Sequence, residues 1–489
     1  MLQSHNNGKS VRSLSFDKTI CGAFVLALLV ALEPEQSWAA REPLPRLKVS
    51  DNHRFLVTEN GRPFFWLGDT AWELFHRLNR AEADLYLRNR AAKGFTVIQA
   101  VVVGELEGLK DPNAYRETPF IEMDASRPNE AYFAHVDWIV NRAAELGLYI
   151  GMLPAWGRWV GGNDEGKTNS NFLNVQNAQT YGRFLGARYA AKPVIWILGG
   201  DRDATKSLAV WNAMAAGIRE IGGQRQLISY HPRDYSSGLL HGAEWLDFNM
   251  IQSGHSPESL NFLMIERDYA LKPAKPCMDA EPAYEYPPGA IPDARPINDR
   301  QVRRNAYWAI FAGAHGHTYG THPIWQMYDD GWAIRDNTKN RRPRWDVTTP
   351  WFSALDLPGA TQLKHLKNLM LSRPFLTRIS DQSLLRSGSS NDLRRVQVTR
   401  DGTPGKDDAT YLMAYFPQQV EATIDTSRIA APTLRGWWFN PRDGTSKALA
   451  SIARSREWKV SPPTNLEGED WVLVLDDPAR NFPPPGMLN

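Results

Sequence analysis

Two apolar runs in this chain end in carboxylates. Val194-Ile195-Trp196-Ile197-Leu198 leads into Gly199-Gly200-Asp201-Arg202-Asp203, and Cys277-Met278 leads into Asp279-Ala280-Glu281-Pro282. The two glycines ahead of Asp201 leave room for a ligand against the backbone. By the strand period of two, Asp279 and Glu281 share one face, and Glu281 lies nearer the C-terminal end. Two carboxylates converging from separate strand ends are what glycosidic hydrolysis needs: one proton donor and one nucleophile or base. Either acid alone could as well be half of a structural ion pair. Their pairing at opposed strand ends favours chemistry, with Asp201 and Glu281 as the catalytic candidates. A third acid stands in Gly68-Asp69-Thr70-Ala71-Trp72, where Asp69 is better suited to accept a sugar hydroxyl. Trp72, Gln99, Trp156, His231, His317, Tyr319 and Trp325 occupy comparable ends of expected strands. They offer flat rings to stack on sugar or polar tips to bond hydroxyls, although each could equally be packing.

Three rival chemistries have weaker support. Gly161-Gly162-Asn163-Asp164-Glu165-Gly166-Lys167-Thr168 satisfies the pattern of a phosphate-binding loop. That device needs a strand running into the loop and a helix starting at the lysine. Here Trp156-Gly157-Arg158-Trp159 intervenes before the loop, and the helix signal waits until Asn174. His315, His317 and His322 could gather on a metal ion, but no carboxylate-bearing zinc motif accompanies them. No G-x-S-x-G elbow exists for acyl transfer. The expectation is hydrolysis with no metal and no cofactor.

The elements that must position these residues alternate. A hairpin-like lead spans Leu47 to Val57. Strands are then expected at 64–68, 96–103, 149–153, 194–198, 227–230, 248–252, 276–280 and 317–320. Helices are expected between them, among them Asn79 to Lys93, Asn129 to Leu146, one from Asn174, one opened by Ser256-Pro257, Asp299 to Gly313 and Phe352 to Leu371. Strands apolar on both faces are those of a buried parallel sheet. Eight such units imply a (β/α)8 barrel, with active residues at the C-terminal rim. An open doubly wound sheet is the alternative, but no G-x-G-x-x-G follows the first strand. Past Arg373-Pro374 short alternating segments with Asp401-Gly402 and Asp443-Gly444 turns replace the helices. They imply a β-sandwich, ending in a loose Pro-rich tail.

The bulk numbers fit this plan. The chain has 489 residues, enough for about two domains. Its formal charge of +2 carries no basic, aromatic-laced run, so nucleic acid is not an expected partner. Lys9, Arg12 and Lys18 precede the apolar stretch Ile20 to Leu32, and Ser37-Trp38-Ala39 has small residues where a signal peptidase reads them. About 13 apolar residues fall short of the ~20 a membrane span needs. The expected organisation is therefore a signal segment 1–39, a catalytic domain 40–372 and a β-domain 373–489. The mature protein is expected to be periplasmic or secreted, with no stable membrane insertion. Cleavage leaves Cys277 alone, so no intramolecular disulfide can form.

The segments "LKVSDNHRFLVTENGRPFFWLGDTAW", "WILGGDRD", "DAEPAYE", "GAHGHTYG" and "WWFNPRDG", in that order, resemble the apiosidase-like glycoside hydrolases. The resemblance covers nearly all of the mature chain. It implies a (β/α)8 barrel followed by a β-domain that carries a collagen-binding label in the family. It implies release of chains linked through apiose in the pectic polysaccharide rhamnogalacturonan II. It also implies Asp201 as acid/base and Glu281 as nucleophile. A polysaccharide or oligosaccharide is thus the expected partner, and a retaining mechanism is expected.

Overall fold

The computed structural model describes residues 43–160, 171–220, 226–291, 294–329, 347–388, 390–463 and 469–488. The expected signal segment and the Gly161-to-Thr168 stretch lie outside the described residues.

Eight parallel strands follow a three-stranded antiparallel lead of Leu47–Val49, Leu56–Thr58 and Pro63–Phe64. They are β1 (Trp66–Thr70), β2 (Val97–Val103), β3 (Tyr149–Ala155), β4 (Val194–Gly199), β5 (Ile228–His231), β6 (Asn249–Gln252), β7 (Cys277–Glu281) and β8 (Gly316–Tyr319). Their spatial order is 5-4-3-2-1-8-7-6. At the seam the Asp247 N–H donates to the Ile228 carbonyl (2.8 Å) and Ser229 Oγ donates to the Phe248 carbonyl (2.7 Å). The sheet is therefore a nearly closed barrel, and helices on its outside bury the apolar outer face. The main ones are α1 (Arg80–Ala92), α2 (Glu130–Glu145), α3 (Val175–Tyr189), α4 (Leu208–Glu220), α5 (Asn261–Ala270), α6 (Asp299–Phe311) and α7 (Pro358–Leu371).

The helix starts follow local chemistry. The Asn79 side chain accepts from the Glu82 N–H, and Glu82 returns the bond to the Asn79 N–H. This reciprocal cap satisfies two donors the first turn would leave orphaned. Asn174 and Asn298 cap α3 and α6 in the same reciprocal way, and Asn129 caps α2 by accepting from the Ala131 N–H. Three expected boundaries move. β1 begins at Trp66 because Phe64 is taken by the lead sheet, opposite Leu56. The Ser256-Pro257 signal makes one turn, with Ser259 N–H on the Ser256 carbonyl, and α5 starts only at Asn261. The helix expected from Phe352 breaks into a short turn (Trp351–Ala354) and α7, whose Pro358 fits only a first turn.

The C-terminal region forms two antiparallel sheets. The larger contains Ile379–Ser380, Gln397–Arg400, Tyr411–Phe416, Trp471–Asp476, Thr433–Phe439 and Ser446–Ala448 in that spatial order, with Ile452–Ala453 beside Thr433–Phe439. The smaller joins Leu385–Ser387, Ala422–Ile424 and Trp458–Val460. Alternation along Tyr411–Phe416 explains why that whole strand is buried. Leu412, Ala414 and Phe416 enter the core between the sheets, whereas Tyr411, Met413 and Tyr415 face the barrel.

Polar contacts bind the same face. Asp470, fully buried, accepts two-pronged bonds from Arg303 of α6 at 2.9–3.1 Å and one from Tyr415 at 3.0 Å. Arg373 grips Asp476 with two bonds of 2.8 Å. Gly444, at φ 73, lies so close to α7 that a Cβ would meet His365 Nδ1 at 2.3 Å. The expected loose tail is instead tied down: Arg435 donates to the Phe482 carbonyl, and the Gly486 N–H donates to Ser372 Oγ at 3.2 Å. Breaking one side of a buried pair leaves an uncompensated charge. Asp470→Ala should therefore cost about 3–5 kcal/mol of stability, read as a lower urea midpoint. A chain ending at Arg373 should be insoluble, and an unchanged midpoint with a soluble, active truncation would refute the coupling.

Candidate active site

The site assembles where β4, β5 and β7 end. Gly199 and Gly200 leave β4 at φ 91 and 122, and Asp201 follows at φ 54. A Cβ on Gly200 would lie 2.8 Å from the Trp156 ring and from the Gly157 nitrogen, so this rim can lie flat on Trp156 only as glycine. A left-handed aspartate is uncommon and gathers at functional sites. The Asp201 side chain keeps 31% of its surface open at the mouth.

Glu281 reaches the same point by a register shift in β7 between Asp279 and Glu281. The shift overturns the expectation that the two share a face, because a bulge breaks simple alternation. Asp279 points to the helices, accepting from Ser253 Oγ (2.7 Å) and from Asn261 Nδ2 of α5 (2.9 Å). Glu281 meets two histidines. Its Oε1 is bonded to His255 Nε2 at 3.0 Å, and its Oε2 lies 3.1 Å from His231 Nε2. The His231 Nδ1 is 3.8 Å from Asp201 Oδ1. One ligand-type atom from each of Asp201, His231 and Glu281 lies within 4.8 Å of the others.

Environment pushes the two acids apart. Burial and the neighbouring Glu281 charge lift Asp201 to about 6. Burial would lift Glu281 too, but bonding to His231 and His255 outweighs it and holds Glu281 well below the usual carboxylate range. Both histidines move up for the reciprocal reason, since Glu281 outweighs the burial that would discharge them. Near neutral pH the site therefore offers one carboxyl able to hold a proton and one fixed carboxylate, the division acid–base chemistry requires.

Several sequence-nominated residues line this point. The Trp72 and Trp156 rings pack 5.1 Å apart and lie 5.1 and 5.9 Å from the His231 ring. Gln99 spans the barrel, its Nε2 donating to the Ala280 carbonyl at 3.1 Å, one residue below Glu281. Trp325 donates through Nε1 to His322 Nδ1 at 3.1 Å, in the short helix His322–Trp325.

Three nominated residues face the helices. Asp69 is fully buried and takes bonds of 2.5 Å from both Tyr86 and Arg90 of α1. Tyr319, opposite it in register, donates to Glu285 Oε2 at 2.6 Å. His317 is paired in register with Leu67 and Asp279 on that outer face, and burial lowers it to about 3. In a closed barrel alternate residues point away from the mouth, which excludes these three from hydroxyl contacts.

The metal alternative also separates in space. His315 precedes β8 and packs on Trp66 and Phe248, His317 faces out, and His322 stands at the mouth. The Asp201, His231 and Glu281 set has cation-binding residue types. The Glu281 charge raises His231, which lies between the two carboxylates. Sequence reasoning missed His255. Its signal was the polar turn Ser253-Gly254-His255 at the end of β6, where Gly254 takes φ 78.

Comparison with known proteins adds a family. Residues 50–377 match the family model "Apiosidase-like, catalytic domain", and residues 379–476 match "Putative collagen-binding domain of a collagenase". A solved "Glycoside hydrolase" is 33% identical, with 90% of this chain and 98% of that one covered at a TM-score of 0.79. A glycoside hydrolase family 5 structure from Bacteroides vulgatus is 32% identical, with 90% and 95% covered at 0.79. A second Bacteroides vulgatus structure, a "putative glycoside hydrolase" at 15% identity, 88% and 82% coverage and a TM-score of 0.61, shares the fold. No curated protein matches the chain significantly.

Proposed function

The chain belongs to the apiosidase-like glycoside hydrolases, and from that premise we propose that it releases chains linked through apiose in the pectic polysaccharide rhamnogalacturonan II, by a retaining mechanism. The observation that carries the mechanism is the Asp201 and Glu281 pair. Carboxyl groups about 5–5.5 Å apart suit a covalent glycosyl–enzyme, whereas inversion needs about 6.5–9.5 Å to admit a water. One oxygen of each carboxyl lies within 4.8 Å of one oxygen of the other, and the retaining reading rests on that close approach. In this reading Asp201, lifted to about 6, protonates the leaving oxygen, and the ionised Glu281 attacks the anomeric carbon. Trp72 and Trp156 form the wall beside the pair, and Gln99 and Trp325 hold its surroundings. The barrel fold alone would not give the sugar; the family supports apiose.

Export belongs to the same proposal, since pectic polymers are extracellular and the first 39 residues have signal-peptide composition. The test is digestion of a panel of pectic and hemicellulosic polysaccharides by exported protein, with and without a chelator. Apiose-terminated oligosaccharides of retained configuration, unchanged by chelation, and an N-terminus at Ala40 are expected. Release from other polymers only, or an inverted product, would overturn the reading.

A further inference from the structure

His255 makes two contacts that fix its protonation. Its Nδ1 faces the Pro282 carbonyl at 3.1 Å, and its Nε2 faces Glu281 Oε1 at 3.0 Å. A carbonyl oxygen has no proton to give, and a carboxylate acting as nucleophile must have none. Both ring nitrogens must then carry hydrogen, which only the imidazolium does.

The surroundings agree. The Tyr284 ring lies 4.1 Å from the His255 ring, tilted by 39°, and gives a cation an electron-rich neighbour. The adjacent His322, 5.2 Å away, accepts at Nδ1 from Trp325 and so cannot be an imidazolium in that arrangement. Burial and the charge on His255 lower it to about 3. The titratable groups facing this pocket are Asp201 after β4, His231 on β5, Glu281, Tyr284 and Tyr286 from β7 onward, and His322 after β8. One cation and one neutral ring therefore lie side by side, and the cation is the one touching Glu281.

We propose that His255 is a positioning residue of the hydrolysis: a resident imidazolium that fixes Oε1 of Glu281 and keeps the carboxylate charged, leaving Oε2 to attack. This rests on Glu281 being the nucleophile. Oε2, the oxygen that His255 does not hold, lies 3.1 Å from His231 Nε2. In the first step the Oε2–anomeric carbon bond forms as the glycosidic C–O bond breaks, and the proton on Asp201 goes to the departing oxygen. In the second, water attacks the anomeric carbon, its proton goes to Asp201, and Glu281 departs as a carboxylate. The His255 bond strengthens as charge returns to Glu281, so it helps the second step most.

The test is NMR of protein labelled with ¹⁵N in histidine, with His255→Gln assigning the signal, alongside the pH dependence of kcat/KM on rhamnogalacturonan II. Wild-type His255 is expected to be doubly protonated at pH 7, and Glu281→Gln to lower its midpoint by roughly 1–3 in pH. In the wild type, kcat/KM should fall as pH rises past about 6, where Asp201 loses its proton, and stay flat toward acid because Glu281 is held low. His255→Gln removes one of the two charges that hold Glu281 down, leaving His231. Its acid limb should then move up by roughly 1–3 in pH, an effect that mere loosening of the loop does not produce. A neutral single tautomer of His255 in the wild type overturns the proposal even if the variant fails to fold. So does a variant with lower kcat and an unmoved acid limb. Hydrolysis surviving in Glu281→Gln would instead sink the nucleophile assignment, which separates the two failures.

Discussion

Glu281→Gln is expected to abolish hydrolysis on every substrate, whatever its leaving group. Removing a covalent nucleophile costs up to about 10⁶ in kcat where the residues act as a unit, and an amide cannot replace the attacking carboxylate. The amide is nearly isosteric, so the packing of β7 should survive. Its oxygen can still accept from His255, but its nitrogen then meets His231 Nε2 at the position of Oε2, where 3.1 Å separates the two atoms now. Two donors would face each other unless His231 gave up a proton. The variant should therefore fold with a modest loss of stability and retain a negligible rate on both rhamnogalacturonan II and an aryl glycoside. Added azide could at best give a product of inverted configuration. Initial rates with a melting curve as control decide this. Retention of more than a few per cent of the wild-type rate would move the search to other acids. Asp279, lifted to about 6, and Glu285, lifted to about 7, are both buried, but helix-side donors or Tyr319 and the Gly359 N–H already occupy them.

The barrel was legible because its strands are short apolar runs between strong helix caps. Asn79 and Gly94 bracket α1, and Asn129 and Gly147 bracket α2, with both glycines in the left-handed region that ends a helix. The catalytic candidates were legible because carboxylates at the C-terminal ends of barrel strands have few structural reasons to be there. What sequence could not supply was the face each residue takes. Asp69, His317 and Tyr319 sit near strand ends just as His231 does, and only the register of β1 against β8 turns them toward the helices. The bulge that parts Glu281 from Asp279 has no signature in Asp279-Ala280-Glu281. His255 was hidden for another reason: its partners, Glu281 and the Pro282 carbonyl, lie 26 and 27 residues away in another loop. The β-domain's role was half visible. Alternation in Tyr411–Phe416 announces a strand, but burial on both faces by different partners appears only once the barrel is beside it.

Asp201→Asn should separate the two chemical steps that Glu281→Gln cannot. Asp201 is at the mouth with its carboxyl lifted to about 6, so near that pH a large share of molecules carry the proton that the first step spends. The asparagine variant has no such proton. A sugar alkoxide is a poor leaving group, and proton donation to it is worth roughly 10²–10⁴ in rate, so rhamnogalacturonan II should be cleaved more slowly by that factor. An aryl glycoside with a good leaving group needs little protonation, and its first step should lose far less. The second step then limits, because no carboxylate remains to take a proton from water. The glycosyl–enzyme on Glu281 should accumulate, seen as a burst of aryl alcohol followed by slow turnover. Azide needs no base, and entering where Asp201→Asn has removed a negative charge, it should restore turnover and yield a glycosyl azide of retained configuration. The pH profile should change with it: the fall above about 6 should disappear, since the group that titrates there is gone. If Asp201→Asn and Glu281→Gln respond alike to leaving group and azide, Asp201 is not the acid/base. The close approach of these two carboxyls would then be a shared-proton pair serving structure, and the proton donor would have to come from another group at the mouth.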